Sequence, residues 1–105
     1  MANYVALVNF TDQGVRQIRQ TTERAKALVN AASNLNVKIK EIYWTMGTYD
    51  AVITAEAPDD ETVTAFAMSM GSLGNIRTQT LRAFAADEIK RILEKIPAGD
   101  IVSTK

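Results

Sequence analysis

The chain has 105 residues, 47% of them apolar and 23% charged, which is the size and composition of one soluble globular domain. Twelve Lys and Arg balance twelve Asp and Glu, so there is no basic footprint for nucleic acid or an anionic membrane and little charge repulsion to oppose self-association. With neither Cys nor His, disulfides, thiolate chemistry, Cys or His zinc sites, His-ligated haem and a histidine general base are excluded, and a metal would need carboxylate or carbonyl oxygens.

The opening Met1-Ala2-Asn3-Tyr4 lacks the basic region and long apolar stretch of a signal peptide. No apolar run approaches the roughly 20 residues of a membrane span. These features predict a cytoplasmic protein. Tyr4-Val5-Ala6-Leu7-Val8-Asn9-Phe10 is almost wholly apolar, which predicts a central strand buried on both faces. Asn9 is the exception, and its amide must bond locally or line a polar cavity. Thr11-Asp12-Gln13-Gly14 breaks the strand, with Asp12 as the expected cap of a short turn carrying Val15 and Ile18.

Thr21 or Thr22 opens a helix in which Ala25, Leu28, Val29, Ala32 and Leu35 recur at spacings of three and four. Asn34-Leu35-Asn36 closes it, Asn being suited to a left-handed cap. The next strand, Val37 to Met46, changes phase: Val37 and Ile39 share one parity, Ile42, Trp44 and Met46 the other. Either a bulge sits near Lys40-Glu41, or the strand buries different faces at its two ends, one of them against a second subunit. Gly47-Thr48 supplies a turn, and Asp50 to Ala57 forms the third strand.

Pro58-Asp59-Asp60-Glu61 starts a helix, with Asp59 as cap and two acids in the first turn, where the helix dipole favours them. Val63, Phe66, Ala67 and Met70 form its buried stripe and Gly71 ends it. Ile76 to Phe84 is a fourth, more polar strand that suits an edge. Asp87 opens a last helix carrying Ile89, Ile92, Leu93 and Ile96 on one face, and Pro97 stops it. The order β-α-β-β-α-β plus a helix predicts an α+β fold, the ferredoxin-like βαββαβ plait, as one domain over 1–97 with a tail over 98–105. Both crossover helices then lie on one face of a four-stranded antiparallel sheet. The opposite face is left for the last helix and a second subunit to cover, which predicts a homo-oligomer built on a dimer.

Gly47-Thr48-Tyr49-Asp50, preceded by Tyr43-Trp44, resembles the Gly-x-Tyr-Asp motif of the GYD family of small bacterial and archaeal proteins. The stretches 4–11, 56–61, 71–78 and 80–84 are similar to that family too, so the resemblance covers about residues 4–95. It implies an α/β plait of the dimeric α/β-barrel type, and it implies no activity.

The candidate ligand-binding residues are Asn9, Tyr43, Trp44, Tyr49, Asp50, Arg77 and Arg82. Asp50 either accepts backbone N–H bonds in the hairpin or serves as a general base with Tyr49 orienting it. Trp44 either packs in a core or interface or forms a stacking platform for a flat ligand. Tyr43 faces the opposite way on an ideal strand. One of the two arginines either pairs with Asp50 or Glu41 or binds an anion. No cofactor, metal, nucleic acid or membrane partner is expected, and no residue is assigned a catalytic role. The leading function is a homo-oligomeric small-molecule-binding or assembly module. The alternative is a cofactor-free enzyme of the dimeric-barrel type, monooxygenase- or isomerase-like, whose cavity would join Asn9, Tyr43 or Trp44, Tyr49, Asp50 and Arg82.

Overall fold

A computed structural model describes residues 1–98. Most of the expected tail therefore lies outside the described residues. The elements follow in the order β1 (Ala2–Phe10), α1 (Asp12–Arg16), a 3-10 turn (Ile18–Gln20), α2 (Thr21–Asn34), β2 (Lys38–Trp44), β3 (Ala51–Ala57), α3 (Asp60–Ser72), β4 (Ile76–Ala83) and α4 (Ala86–Leu93). The strands form one sheet in the order β2-β3-β1-β4, and each neighbouring pair is antiparallel. This α+β arrangement is consistent with the ferredoxin-like plait. The apolar strands β1 and β3 are central, and the polar β4 is an edge, as its composition predicts.

Register sorts the strand residues between two faces. Tyr4 lies opposite Ala55 and Arg82, and Val8 opposite Ala51 and Thr78. These side chains turn toward α2 and α3. Tyr4, Ala32, Val37, Ala55, Ala57, Val63 and Phe66 form one buried cluster there, and Val8, Ala51 and Ile53 a second. Full burial of each large side chain contributes roughly 1.5–3 kcal/mol before chain entropy is counted. The α3 stripe is the one its spacing predicts. On α2, Ala32 and Leu28 turn inward while Val29 and Leu35 remain exposed.

The phase change in β2 is a bulge. Ile39 pairs with Ala55 but Glu41 pairs with Thr54, so the ladder slips at Lys40. That slip returns Ile42 and Trp44 to the face carrying Ile39. With the bulge in place, the phase change no longer calls for a partner surface.

Local caps differ in detail from expectation. The cap of α1 is Thr11, not Asp12: the Gly14 N–H donates to Thr11 Oγ1 at 3.1 Å. Asp59 caps α3 as expected, accepting from the Thr62 N–H at 2.8 Å, and hydrogen bonding from the Thr62 side chain first, then from its N–H, holds the carboxyl below the usual range. Asn36 takes the left-handed conformation at φ 63, which lets the Val37 N–H reach the Ala32 carbonyl and close α2. α4 begins at Ala86, one residue before Asp87, and the Ala85 N–H donates to Glu88 Oε1 at 2.9 Å.

α4 does not lie over the sheet's second face. It is tied to the domain at Glu88, which pairs with Arg82 at 3.0 Å and accepts from Asn3. Its apolar side stays in water, with Leu93 55% exposed, and Ile96 beyond its end is 57% exposed. The molecule measures 56 × 30 × 20 Å with a radius of gyration of 17.2 Å. A compact chain of this length would have about 13 Å. Among the described residues no helix is long and apolar enough to cross a membrane.

Candidate functional site

The turn between β2 and β3 carries the Gly47-Thr48-Tyr49-Asp50 motif. Gly47 sits at φ +102, a conformation that side-chain-bearing residues rarely adopt. Past the turn, the Thr45 N–H donates to the Asp50 carbonyl at 2.9 Å and Thr45 Oγ1 donates to the Tyr49 carbonyl at 2.6 Å. Asp50 then reaches across to β1. Its N–H donates to the Val8 carbonyl at 2.8 Å, and its Oδ2 accepts from the Phe10 N–H at 2.8 Å. The carboxylate therefore completes the ladder where β3 runs out beside β1. Tyr49 OH donates to Gln79 Oε1 at 3.0 Å, linking the hairpin to β4.

The candidate residues divide between the faces. Asn9 lies opposite Arg77, and Tyr43 opposite Val52, on the face away from the helices. Tyr49 extends its hydroxyl to Gln79 on that face. Tyr43 OH donates to Glu41 Oε2 at 2.9 Å, and this bond to a carboxylate raises the phenol above its ordinary pKa. Val5, Leu7, Val52 and Leu81 fill the middle of the same face, which no element covers among the described residues. The turn's Met46 is 96% exposed.

Arg82 and Trp44 point the other way. Arg82 stacks 4.4 Å from the Phe84 ring centroid and 5.7 Å from that of Tyr4, and it donates to the Asn3 and Ala83 carbonyls. Its partner is Glu88, not Asp50 or Glu41. The Ala85 N–H first, and Arg82 after it, hold the Glu88 carboxyl below the usual range. Arg82 is thus a clamp between β4 and the start of α4. Beside it, burial above all, then the 2.5 Å bond to Asp60, pushes the Tyr4 phenol up to about 12.

Trp44 borders a cavity of about 290 Å³ between the sheet and α2. Leu28, Ile42, Ile53, Met70 and Ile76 line it, and its surface is overwhelmingly apolar. Trp44 Nε1 donates to Thr21 Oγ1 at 2.9 Å, joining the end of β2 to the start of α2 along one side. The loop after α3 forms the opposite wall through Leu73 and Asn75. That loop is locked to the 11–14 turn. The Thr11 N–H donates to the Asn75 carbonyl, Thr11 Oγ1 to the Gly74 carbonyl at 2.6 Å, and Gln13 Nε2 to Asn75 Oδ1 at 2.8 Å. Gly14 permits the approach, since a Cβ there would stand 2.1 Å from the Asn75 carbonyl oxygen.

Of the seven candidates, Trp44 alone lines this cavity. Among the described residues Asn9, Asp50 and Arg82 do not meet around one enclosed space. Sequence reasoning gave Thr21 no role beyond a helix start and assigned none to Arg24 or Gln79. The alanines at 25, 27 and 31 were the available signal, because small side chains on one helix leave room beneath it. Among the described residues no cluster of three or more carboxylates is placed to hold a metal ion.

The pattern of the GYD domain matches residues 4–93. A relative from Thermus thermophilus, named glutamine synthetase and cystathionine beta-lyase binding protein, is 31% identical over 94 residues, covering 88% of this chain and 99% of the relative. The crystal structure of TTHA0845 from Thermus thermophilus is similar with a TM-score of 0.54 and 27% identity, over 82% of this chain and 96% of that one.

Proposed function

The chain belongs to the GYD domain family, and from that premise we propose that it is a non-enzymatic assembly module: a homodimer of the dimeric α/β-barrel type that holds a partner enzyme. The open sheet face carries the reading. Val5, Leu7, Val52 and Leu81 form an apolar centre, with Tyr43 and Tyr49 beside it, and α4 holds a second apolar strip clear of the domain. Contiguous apolar surface of this kind is costly to leave in water and marks an interaction site. A second copy is its simplest occupant, because an isologous pair buries the same patch twice and the balanced charge of the chain does not oppose it.

The partner enzyme rests on the relative. That protein's name says that it binds glutamine synthetase and cystathionine beta-lyase, and this chain spans nearly all of it. The cofactor-free enzyme remains a narrower alternative. A second copy on the open face would enclose Asn9, Tyr43, Tyr49 and Arg77, yet Asp50, its proposed base, has one carboxylate oxygen committed to the Phe10 N–H.

Light scattering on a sizing column at two protein concentrations tests the dimer. The expected mass is twice that of one chain, and a strict monomer at both concentrations sinks the reading. Co-elution with purified glutamine synthetase or cystathionine beta-lyase tests the partner clause, with a complex expected for at least one of them.

A further inference from the structure

The cavity beneath α2 lies on the sheet face opposite the proposed dimer surface, and it holds one charged side chain. Arg24, in the first turn of α2, lines it. The Arg24 Nε is buried and has no hydrogen-bond partner. Among the described residues Arg24 enters no ion pair. A buried guanidinium donor without an acceptor is uncommon, because it has given up water and gained nothing in return. The remainder of the lining is apolar apart from Thr21 and Asn75, and both of these already have protein partners.

We infer that this cavity binds a small apolar monocarboxylate, with Arg24 as the anchor of the carboxylate and the space between α2 and the sheet taking the apolar body. The chemistry of the lining selects the ligand class. A guanidinium matches a planar carboxylate with paired donors, and among the described residues no carboxylate of the chain already pairs with this one. The N-terminal end of α2 adds a favourable field for an anion at this place. A second anionic group would find no partner among the lining residues, so dicarboxylates and phosphate esters are disfavoured.

Size narrows the class. An apolar cavity of roughly 150 Å³ accepts a benzene ring, and this one is about 290 Å³. That volume suits an unbranched chain of about eight carbons or one aromatic ring on a short acid. The space exists because α2 turns Ala25, Ala27 and Ala31 toward it. Larger residues there would fill it.

Trp44 is the single tryptophan and borders the cavity, so its emission reports occupancy. Octanoate, below its micelle-forming range, is titrated into the full chain and compared with 1-octanol, which has the same carbon chain and no charge. Saturable binding of octanoate at least about tenfold tighter than octanol is expected, the size of one charge-assisted hydrogen bond. Arg24→Met is expected to remove that preference while leaving octanol binding unchanged. Ala25→Leu, which narrows the cavity and keeps Arg24, is expected to weaken both ligands together, so the inference does not depend on one variant folding. Equal binding of the two ligands by the unaltered chain, no saturable change in Trp44 emission, or an octanoate preference that survives Arg24→Met each overturns it. None of these results bears on the dimer, which is read from molecular mass.

Discussion

The two faces of the sheet carry similar side chains and meet different fates. On one, Tyr4, Val8, Ala55 and Ala57 are buried beneath α2 and α3, which bring Ala32, Val63 and Phe66 against them. On the other, Val5, Leu7, Val52 and Leu81 come from the same strands, one residue out of step, and nothing in the described chain covers them. A strand alternates its side chains between faces, so a chain with helices on one side only must leave half of its strand hydrophobes for something else. The first face holds the fold together, and the second is available for association.

Breaking the helix-covered face has the largest expected effect on folding. Phe66→Ala leaves a hole against Tyr4 and Ala57 and is expected to cost about 3–5 kcal/mol in urea unfolding. A loss below about 1 kcal/mol would mean that this cluster is not the core. Asp50→Ala comes next, because it strips the acceptor from the Phe10 N–H. The expected loss is about 1–3 kcal/mol, with Asp50→Asn recovering much of it. If the two variants unfold alike, the carboxylate bond does not matter to the hairpin.

Leu7→Lys sharpens the comparison from the open side. Its expected cost to the isolated fold is under about 1 kcal/mol, while the proposed dimer is expected to be lost in light scattering. A variant that unfolds instead of dissociating would make the open face part of the core. Another test of the covered face lies in alkali. The folded Tyr4 phenol is pushed up to about 12 from an ordinary 10, so the folded state keeps its proton after the unfolded state has lost it. The resulting stability is fully present below pH 10 and is lost as pH rises through about 12. Tyr4→Phe is expected to flatten that loss in melts taken across the window.

Much of the architecture is legible in the sequence. The helix stripe of Val63, Phe66, Ala67 and Met70 and the Asp59 cap follow from local spacing or local chemistry, while the phase change near Lys40-Glu41 was legible but left a bulge and a second buried face as alternatives that only the register decided. The Thr11 cap was missed because Thr11 and Asp12 are both good capping residues, and only the path of the backbone decides which side chain reaches the Gly14 N–H. Asp50 was recognised as part of a hairpin unit, but its bond to Phe10 crosses forty positions of sequence and no local rule contains it. Arg82 was weighed against Asp50 and Glu41, and Glu88 was the partner, since β4 delivers it directly to the start of α4.

The sequence by itself determined which segments are strands and helices, their antiparallel order, and the absence of thiol and imidazole chemistry. Those properties depend on neighbours a few residues apart, on backbone preferences and on composition. Only the tertiary structure decided which face Tyr43 and Trp44 each take beyond the Lys40 bulge, that α4 stands clear of the sheet, and that Arg24 borders an apolar cavity roofed by alanines. Each of these depends on how distant elements pack, because one slipped residue exchanges the faces of a strand and a cavity is defined by side chains that the sequence holds far apart.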